Sequence, residues 1–382
     1  MFAKYLENEV VMKLEDLIEL YILQKEHHEN KGDSGFQEDY DSKFASLMSD
    51  IPFSREYIMA NTTVNQEQPE IPFVLFKPNN INPENPAPLI IHTHGGPQVY
   101  FDKNYNHAEI AYFLSKGYVV ACPNYRGSTD YPSSDVDKRN EWFNWKEKSK
   151  NKYHIYGPED VHAVTMFMLE KQYIDKTKVF LRGGSFGSFI NAHLLAQVKS
   201  GKYKNVYKGV HFSGGTNYPS ELVIPEDMPI LITHGAKDDI APPEDAKLFM
   251  EQLLLNQLAV KKNNPDFTFN VQSFFSSTGN HHLIDAGLTT GSDKESKNYQ
   301  ELMRYLELTT SFIESIARNE LFITEQPSVQ LCALNNDYNN TDKLGLDILS
   351  FYSARAQYLE TSEIKTYGPT MALLKTSVRP KQ

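Results

Sequence analysis

The segment Gly183–Gly187 has the sequence GGSFG, which matches the pattern G-x-S-x-G around Ser185. The residues before it, Lys178–Arg182, have the composition of a short strand, and Ser188–Val198 has apolar residues at helical spacing. A serine at such a strand-to-helix turn presents its hydroxyl above the sheet, and the N–H of Phe186 points into the same space. A plain glycine-rich turn also fits this pattern, so a nucleophile at position 185 needs support from the rest of the chain.

A nucleophilic serine requires a histidine base and a carboxylate that orients that base. The chain after Ser185 predicts two strands whose following loops carry these residue types. The candidates are Asp238 and Asp239 after the strand at 229–235, and His281 and His282 after the strand at 269–276. The ends of such strands lie at the ligand-binding edge of an α/β sheet, and the order serine, acid, histidine is that of α/β-hydrolases. The pattern therefore predicts a catalytic triad, with the choice within each pair left open.

A second glycine-rich turn, Gly95-Gly96, follows the apolar segment 86–91. Glycine lets the backbone approach a substrate closely, and this loop matches the one that supplies a second oxyanion donor in esterase-like hydrolases. The neighbouring His92 and His94 fall on one face of a strand and could bind a metal together, but no third group of ligands accompanies them. We therefore expect no metal and no other cofactor.

Four segments together resemble the catalytic domain of the prolyl oligopeptidase family of serine peptidases, which carries HGGP, NYRGS, GGSxGG and HGxxD elements in this order. The matching segments are 94–97 (HGGP), 123–128 (PNYRGS), 183–187 (GGSFG) and 234–238 (HGAKD). The likeness covers residues 55–317, with Ser188 standing where the family usually has another glycine. The stretch before the first core strand is too short for the β-propeller of that family, so we expect the propeller to be absent.

The resemblance implies an α/β-hydrolase fold, which is a doubly wound, mostly parallel sheet with helices on both faces. It implies Ser185 as the nucleophile, Asp238 as the acid and His281 as the base. The oxyanion hole would be formed by the N–H groups of Phe186, Gly95 and Gly96. The proposed substrate pocket consists of His94, Tyr125, Arg126 and Trp142, with a core position as the alternative for Trp142.

The alternation of strands and helices predicts three parts: a helical N-terminal extension (1–52), a catalytic α/β-hydrolase domain (53–318) and a C-terminal extension (319–382). Residues 29–43 are polar and contain glycine, which indicates a loop. The C-terminal part has a helical pattern at 344–359. We expect an accessory helix there, with a cap, an oligomer contact or a secretion signal as alternatives.

The composition of the 382 residues narrows the partners of the chain. A net charge of −11 disfavours nucleic acids and anionic membranes. The two cysteines, Cys122 and Cys332, are too few for a disulfide framework, and the charged first residues lack the pattern of a signal peptide. We expect a cytoplasmic protein that acts on a peptide or a small acyl substrate. A homo-oligomer and secretion without a signal peptide stay open.

Three functions compete at this stage. The resemblance favours a serine peptidase that works through an acyl-enzyme. The missing propeller and the HGGP loop would also suit a carboxylesterase or thioesterase. An inactive binding module is disfavoured because serine, aspartate and histidine are all present in the expected order.

Overall fold

The computed structural model describes residues 12–30, 34–60, 70–97, 99–102, 104, 106–129, 152–216, 218, 224–225, 227–264, 266–267, 270–283, 287–318 and 320. Its strands are β1 (Phe53–Ala60), β2 (Ile71–Pro78), β3 (Ala87–Thr93), β4 (Val119–Pro123), β5 (Ile174–Gly184), β6 (Gly209–Ser213), β7 (Ile230–Gly235) and β8 (Val271–Ser276). Its helices are α1 (Leu14–Glu29), α2 (Ser34–Met48), α3 (Ala108–Ser115), α4 (Tyr153–Leu169), α5 (Phe186–Lys199), α6 (Pro243–Asn263) and α7 (Lys297–Ala317). The predicted residue Trp142 and nearly all of 319–382 lie outside the described residues.

The strands form one sheet in the order β1-β2-β4-β3-β5-β6-β7-β8. The pairs β1–β2 and β2–β4 are antiparallel, and every later neighbour pair is parallel. Because parallel strands end at one edge, the ends of β5, β7 and β8 come together there, with Gly184 beside Ser213 and Gly235 beside Ser276. The predicted doubly wound, mostly parallel sheet is confirmed.

Both faces of the sheet are covered. Ile90, Val120 and Phe180 join a hydrophobic cluster with residues of α1, α2, α3 and α7. Ile91 and Leu181, the next residues along β3 and β5, are equally buried, and side chains alternate along a strand, so they point to the other face. Helices α4 and α5 pack together there. The core therefore consists of two apolar layers that hold the sheet edge in place.

The loop predicted for residues 29–43 was wrong from residue 34 onward, where α2 begins. The sequence is polar and contains glycine, which lowers helix propensity. However, Tyr40, Phe44 and Met48 recur at intervals of four residues and are buried against the N-terminal cluster. Packing of this apolar side outweighs the weak local propensity, as it does for most helices in proteins.

Helix α4 begins at Tyr153, and Pro158 lies inside it. Proline has no N–H to donate to the carbonyl four residues earlier, which belongs to His154. That carbonyl instead accepts a hydrogen bond from Gln197 Nε2 of α5 at 3.2 Å. A contact between the two helices thus replaces the hydrogen bond that the proline removes.

Within the described residues, no helix combines the length and the apolar character needed to cross a bilayer. The predicted division of the chain at residues 52 and 318 stays a prediction.

Candidate active site

The turn at Ser185 connects β5 directly to α5. Ser185 has φ 51° and ψ −122°, in the left-handed region that residues with a side chain rarely occupy. Its N–H donates to the carbonyl of Ser213 on β6 at 2.7 Å, which holds the turn against the sheet. A methyl group on Gly187 would collide with the carbonyl of Thr93 at the end of β3. The glycine therefore allows α5 to start against the sheet, and the strained serine is fixed by its neighbours.

His281 lies between Ser185 and Asp238. Its Nε2 is 2.9 Å from Ser185 Oγ, and its Nδ1 is 2.7 Å from Asp238 Oδ2. The other carboxylate oxygen of Asp238 accepts the N–H groups of Ile240 at 3.0 Å and Ala241 at 2.8 Å. With one oxygen held by the loop after β7, the carboxylate can orient the imidazole with the other.

The alternative residues of each pair lie elsewhere. Asp239 is exposed, and its neighbour Asp238 is buried. His282 is exposed as well, and its backbone N–H donates to Asn280 Oδ1 at 2.9 Å. The geometry thus brings together one member of each pair with Ser185; the catalytic roles of these residues remain predictions.

A third group, His234, reaches the same carboxylate. Its Nε2 is 3.2 Å from Asp238 Oδ2 and 2.8 Å from the carbonyl of Ala241. Burial lowers the pKa of His234 despite the raising effect of the Ala241 carbonyl and the Asp238 charge. A neutral imidazole can donate its Nε2 proton here without adding a second positive charge beside His281.

The predicted oxyanion donors lie on both sides of Ser185. Gly95 approaches so closely that a Cβ on it would be 2.9 Å from Ser185 Cβ, and Gly96 has φ 110°. Phe186 is the first residue of α5, where N–H groups have no partner within the helix. Backbone N–H groups at a helix start favour negative charge, so this arrangement can stabilise an oxyanion on the carbonyl oxygen of a group that Ser185 attacks.

The predicted pocket residues His94, Tyr125 and Arg126 are placed behind the glycine turn, with exposed fractions of 6%, 0% and 1%. The His94 ring stacks on Tyr125 at 4.3 Å between centroids, and the Tyr125 hydroxyl donates to the Gly95 carbonyl at 3.1 Å. Burial lowers the pKa of His94 to about 4. His94 and Tyr125 thus support the Gly95 turn, and none of the three residues lines the cavity at Ser185.

Arg126 is held in a buried ion pair. Its guanidinium lies 2.7 Å from Asp160 and 2.7 Å from Glu159, over the ring of Tyr156. A guanidinium that is satisfied in this way fastens the segment after β4 to α4. Its placement differs from the pocket role that the sequence suggested.

A second histidine–carboxylate pair lies beneath the site. His92 Nε2 is 3.2 Å from Glu109 Oε2, and Arg182 Nε donates to Glu109 Oε1 at 2.9 Å. Burial would raise the pKa of Glu109, but the charge of Arg182 and the contact with His92 hold it far below its usual value. Among the described residues, no group of three histidine, cysteine or acidic side chains could hold a metal ion.

A cavity of about 630 Å³ opens above Ser185 and His281. Sequence reasoning missed part of its lining, namely Tyr21, Gln24, Lys25, His28 and Glu29 of α1, and Arg182 and Tyr305 from the sheet and α7. The signal in α1 was a repeat of polar residues at helical spacing, which is also typical of a solvated helix face. Only the packing of α1 over the sheet edge turns that face toward the site.

Comparison with known proteins finds similarity to peptidases over part of the chain. The model of the prolyl oligopeptidase family matches residues 104–221. The uncharacterized peptidase YuxL of Bacillus subtilis (strain 168) is 25% identical over 216 residues, which cover 49% of this chain and 30% of that protein. Acylamino-acid-releasing enzyme 1 of Oryza sativa subsp. japonica is 31% identical over 113 residues, or 29% of this chain and 13% of that protein.

The chain therefore spans less than a third of the length of these curated relatives. Among solved structures, the uncomplexed acylaminoacyl peptidase of Pyrococcus horikoshii superposes with a TM-score of 0.52 at 17% identity, over 75% of this chain and 45% of that one. At this identity the likeness establishes a shared fold.

Proposed function

We propose that the chain belongs to the prolyl oligopeptidase family, whose model matches residues 104–221, and that it is a serine peptidase that cleaves amide bonds through an acyl-enzyme. The observation that carries the proposal is the single imidazole of His281, 2.9 Å from Ser185 Oγ and 2.7 Å from Asp238. Nucleophile, base and orienting group are recognised by such geometry, whatever their sequence positions.

In this mechanism Ser185 Oγ attacks the carbonyl carbon of the substrate as its proton passes to His281 Nε2. The C–N bond then breaks, and His281 gives that proton to the departing amine. Water attacks the acyl-enzyme in the same way, so that the acid product leaves and Ser185 regains its proton. Asp238 keeps the Nδ1–H tautomer and stabilises the imidazolium that forms in each step.

The carbonyl oxygen becomes an oxyanion in both tetrahedral intermediates. We assign its stabilisation to the N–H groups of Phe186 and of the Gly95-Gly96 turn. The support is the close approach of Gly95 to Ser185 and the position of Phe186 at the start of α5. Loss of one such donor typically costs about 2.7–4 kcal/mol of transition-state stabilisation.

A substrate panel tests the proposal. Aminoacyl and N-acetyl-aminoacyl anilides are compared with nitrophenyl esters of short fatty acids, on wild type, Ser185→Ala and Ser200→Ala. Ser200 is an exposed serine at the end of α5 and serves as the matched control. We expect amide turnover by the wild type and the control only. Turnover of esters without amides would instead indicate an esterase, and amide turnover by Ser185→Ala would refute the mechanism.

The location of the protein is a separate proposal. Cys122 is buried as a free thiol, and burial raises its pKa well above the usual value. A chain with so few cysteines suits a reducing compartment, so we propose the cytoplasm. Fractionation of cells that express the tagged chain tests this.

A further inference from the structure

One face of α1 lines the same cavity as Ser185. Its members Tyr21, Gln24, Lys25 and His28 are spaced at i, i+3, i+4 and i+7, which places them on one side of the helix. The cavity of about 630 Å³ lies within the range of ~300–1,000 Å³ for sites that enclose a small ligand. A helix from outside the sheet thus closes part of a site whose reactive groups lie on the sheet edge.

Helix α1 is held in place by buried contacts. Lys25 Nζ donates to the carbonyl of Leu288 at 3.1 Å, and Glu26 Oε1 accepts the N–H of Thr290 at 3.3 Å. Both contacts reach the segment that follows His281 in the chain. The apolar residues of α1 are buried as well, namely Leu17, Ile18, Leu20, Ile22 and Leu23. With this much buried contact, α1 behaves as a fixed wall of the cavity.

The surfaces that a substrate would meet are close to neutral. On the wall, Lys25 pairs with Glu29 at 2.8 Å. At the floor, Arg182 pairs with Glu109 at 2.9 Å. At the mouth, Val99 and Ile240 also line the cavity and are large apolar side chains with exposed fractions of 45% and 67%. These features favour uncharged, partly apolar substrates over charged ones.

We infer that α1 is the wall that limits substrate size, so that the site accepts substrates with one or two uncharged residues and disfavours longer chains. The inference rests on the proposed acylation of Ser185. His28 is the residue to test, because it lines the cavity and is more exposed than the residues of α1 that make the buried contacts. Glu15 is an exposed residue of the same helix outside the cavity lining and serves as the matched control.

The experiment measures rates of Ser185 labelling by phosphonate probes, detected by mass spectrometry. In the first probe series, one to four uncharged residues are attached to the substituent that stays on phosphorus and mimics the acyl group. In the second series, the same residues are attached to the leaving group. For the wild type we expect the labelling rate of the four-residue probe to be about tenfold or more below that of the one-residue probe in at least one series. A tenfold ratio is the low end of the discrimination that a hydrophobic pocket achieves for a single methylene. In His28→Ala, the four-residue probe should label almost as fast as the one-residue probe. In His28→Trp, the labelling rate should already fall for the two-residue probe, and Glu15→Ala should behave like the wild type.

Equal rates across both series in the wild type would overturn the inference. The same conclusion would follow if the length dependence of His28→Ala equalled that of Glu15→Ala. Failure of even the smallest probe to label Ser185 is a distinguishable result, because it would refute the proposed nucleophile itself.

Discussion

Two histidine–carboxylate pairs lie close together in this molecule and differ in the groups around them. His281 contacts Asp238 at 2.7 Å, and His92 contacts Glu109 at 3.2 Å. His281 lies in the loop after β8, and His92 is the next-to-last residue of β3. Both histidines are therefore at the same edge of the sheet. Residue type and the distance within each pair alone would not separate a catalytic pair from a structural one.

The third neighbour separates the pairs. The other nitrogen of His281 faces Ser185 Oγ, beside an open cavity. In the second pair, Glu109 is already held by Arg182, and His92 Nδ1 is buried with no hydrogen-bond partner among the described residues. A carboxylate neutralised by a guanidinium can hold elements together, but it is poorly placed to stabilise a new charge on histidine.

Ser185→Ala should abolish turnover, with kcat falling by about 10⁶, since removal of the nucleophile costs as much as removal of the whole triad. An organophosphorus probe should label the wild type at Ser185 and leave the variant unlabelled. The melting temperature is the control and should not fall. A label on another serine would show that the first pair is not part of the catalytic centre.

Asp238→Asn should lower kcat by about 10⁴, because an amide at this position favours the wrong tautomer of His281. Its exposed neighbour gives the matched control, Asp239→Asn, which we expect to retain activity. Steady-state kinetics on both variants decide the matter. A larger loss for Asp239→Asn would reassign the acid.

Glu109→Gln should act on stability, lowering the free energy of unfolding by about 3–5 kcal/mol at pH 7, because it leaves Arg182 buried without its partner. The pKa of Glu109 is depressed in the folded protein, so its stabilising contribution is complete above its unfolded pKa of ~4.3 and is lost as pH falls toward the folded value. Urea unfolding should therefore show a constant difference from wild type between about pH 7 and 5 that shrinks in more acidic solution. A kcat loss equal to that of Asp238→Asn, at unchanged stability, would contradict the division between the two pairs.

His282→Ala should keep most of the kcat and change KM at most, because His282 lines the cavity whereas His281 is hydrogen-bonded to Ser185 and Asp238. His281→Ala, assayed in parallel, should be as inactive as Ser185→Ala. An inactive His282→Ala beside an active His281→Ala would shift the base by one residue.

Local sequence patterns were enough to predict the motif, the order of the triad candidates and several strands of the sheet. The turn at Ser185 needs glycine at position 187 for steric reasons, so a local pattern reports it directly. The buried strand β7 is apolar and short, so composition identified it as well. Spacing carried less information about polar residues in loops, and the residues alone left both pairs, Asp238/Asp239 and His281/His282, open.

Other features depend on contacts between segments that are far apart in the chain, and only the folded structure shows them. It turned Asp238 and His281 toward Ser185, placed Tyr125 and Arg126 behind the glycine turn, and made α2 a helix through packing. It also brought α1 over the site, although its polar face is typical of a solvated helix. The physical reason is common to all of these: burial and hydrogen bonding between segments far apart in the chain outweigh local propensity, and no local pattern records them.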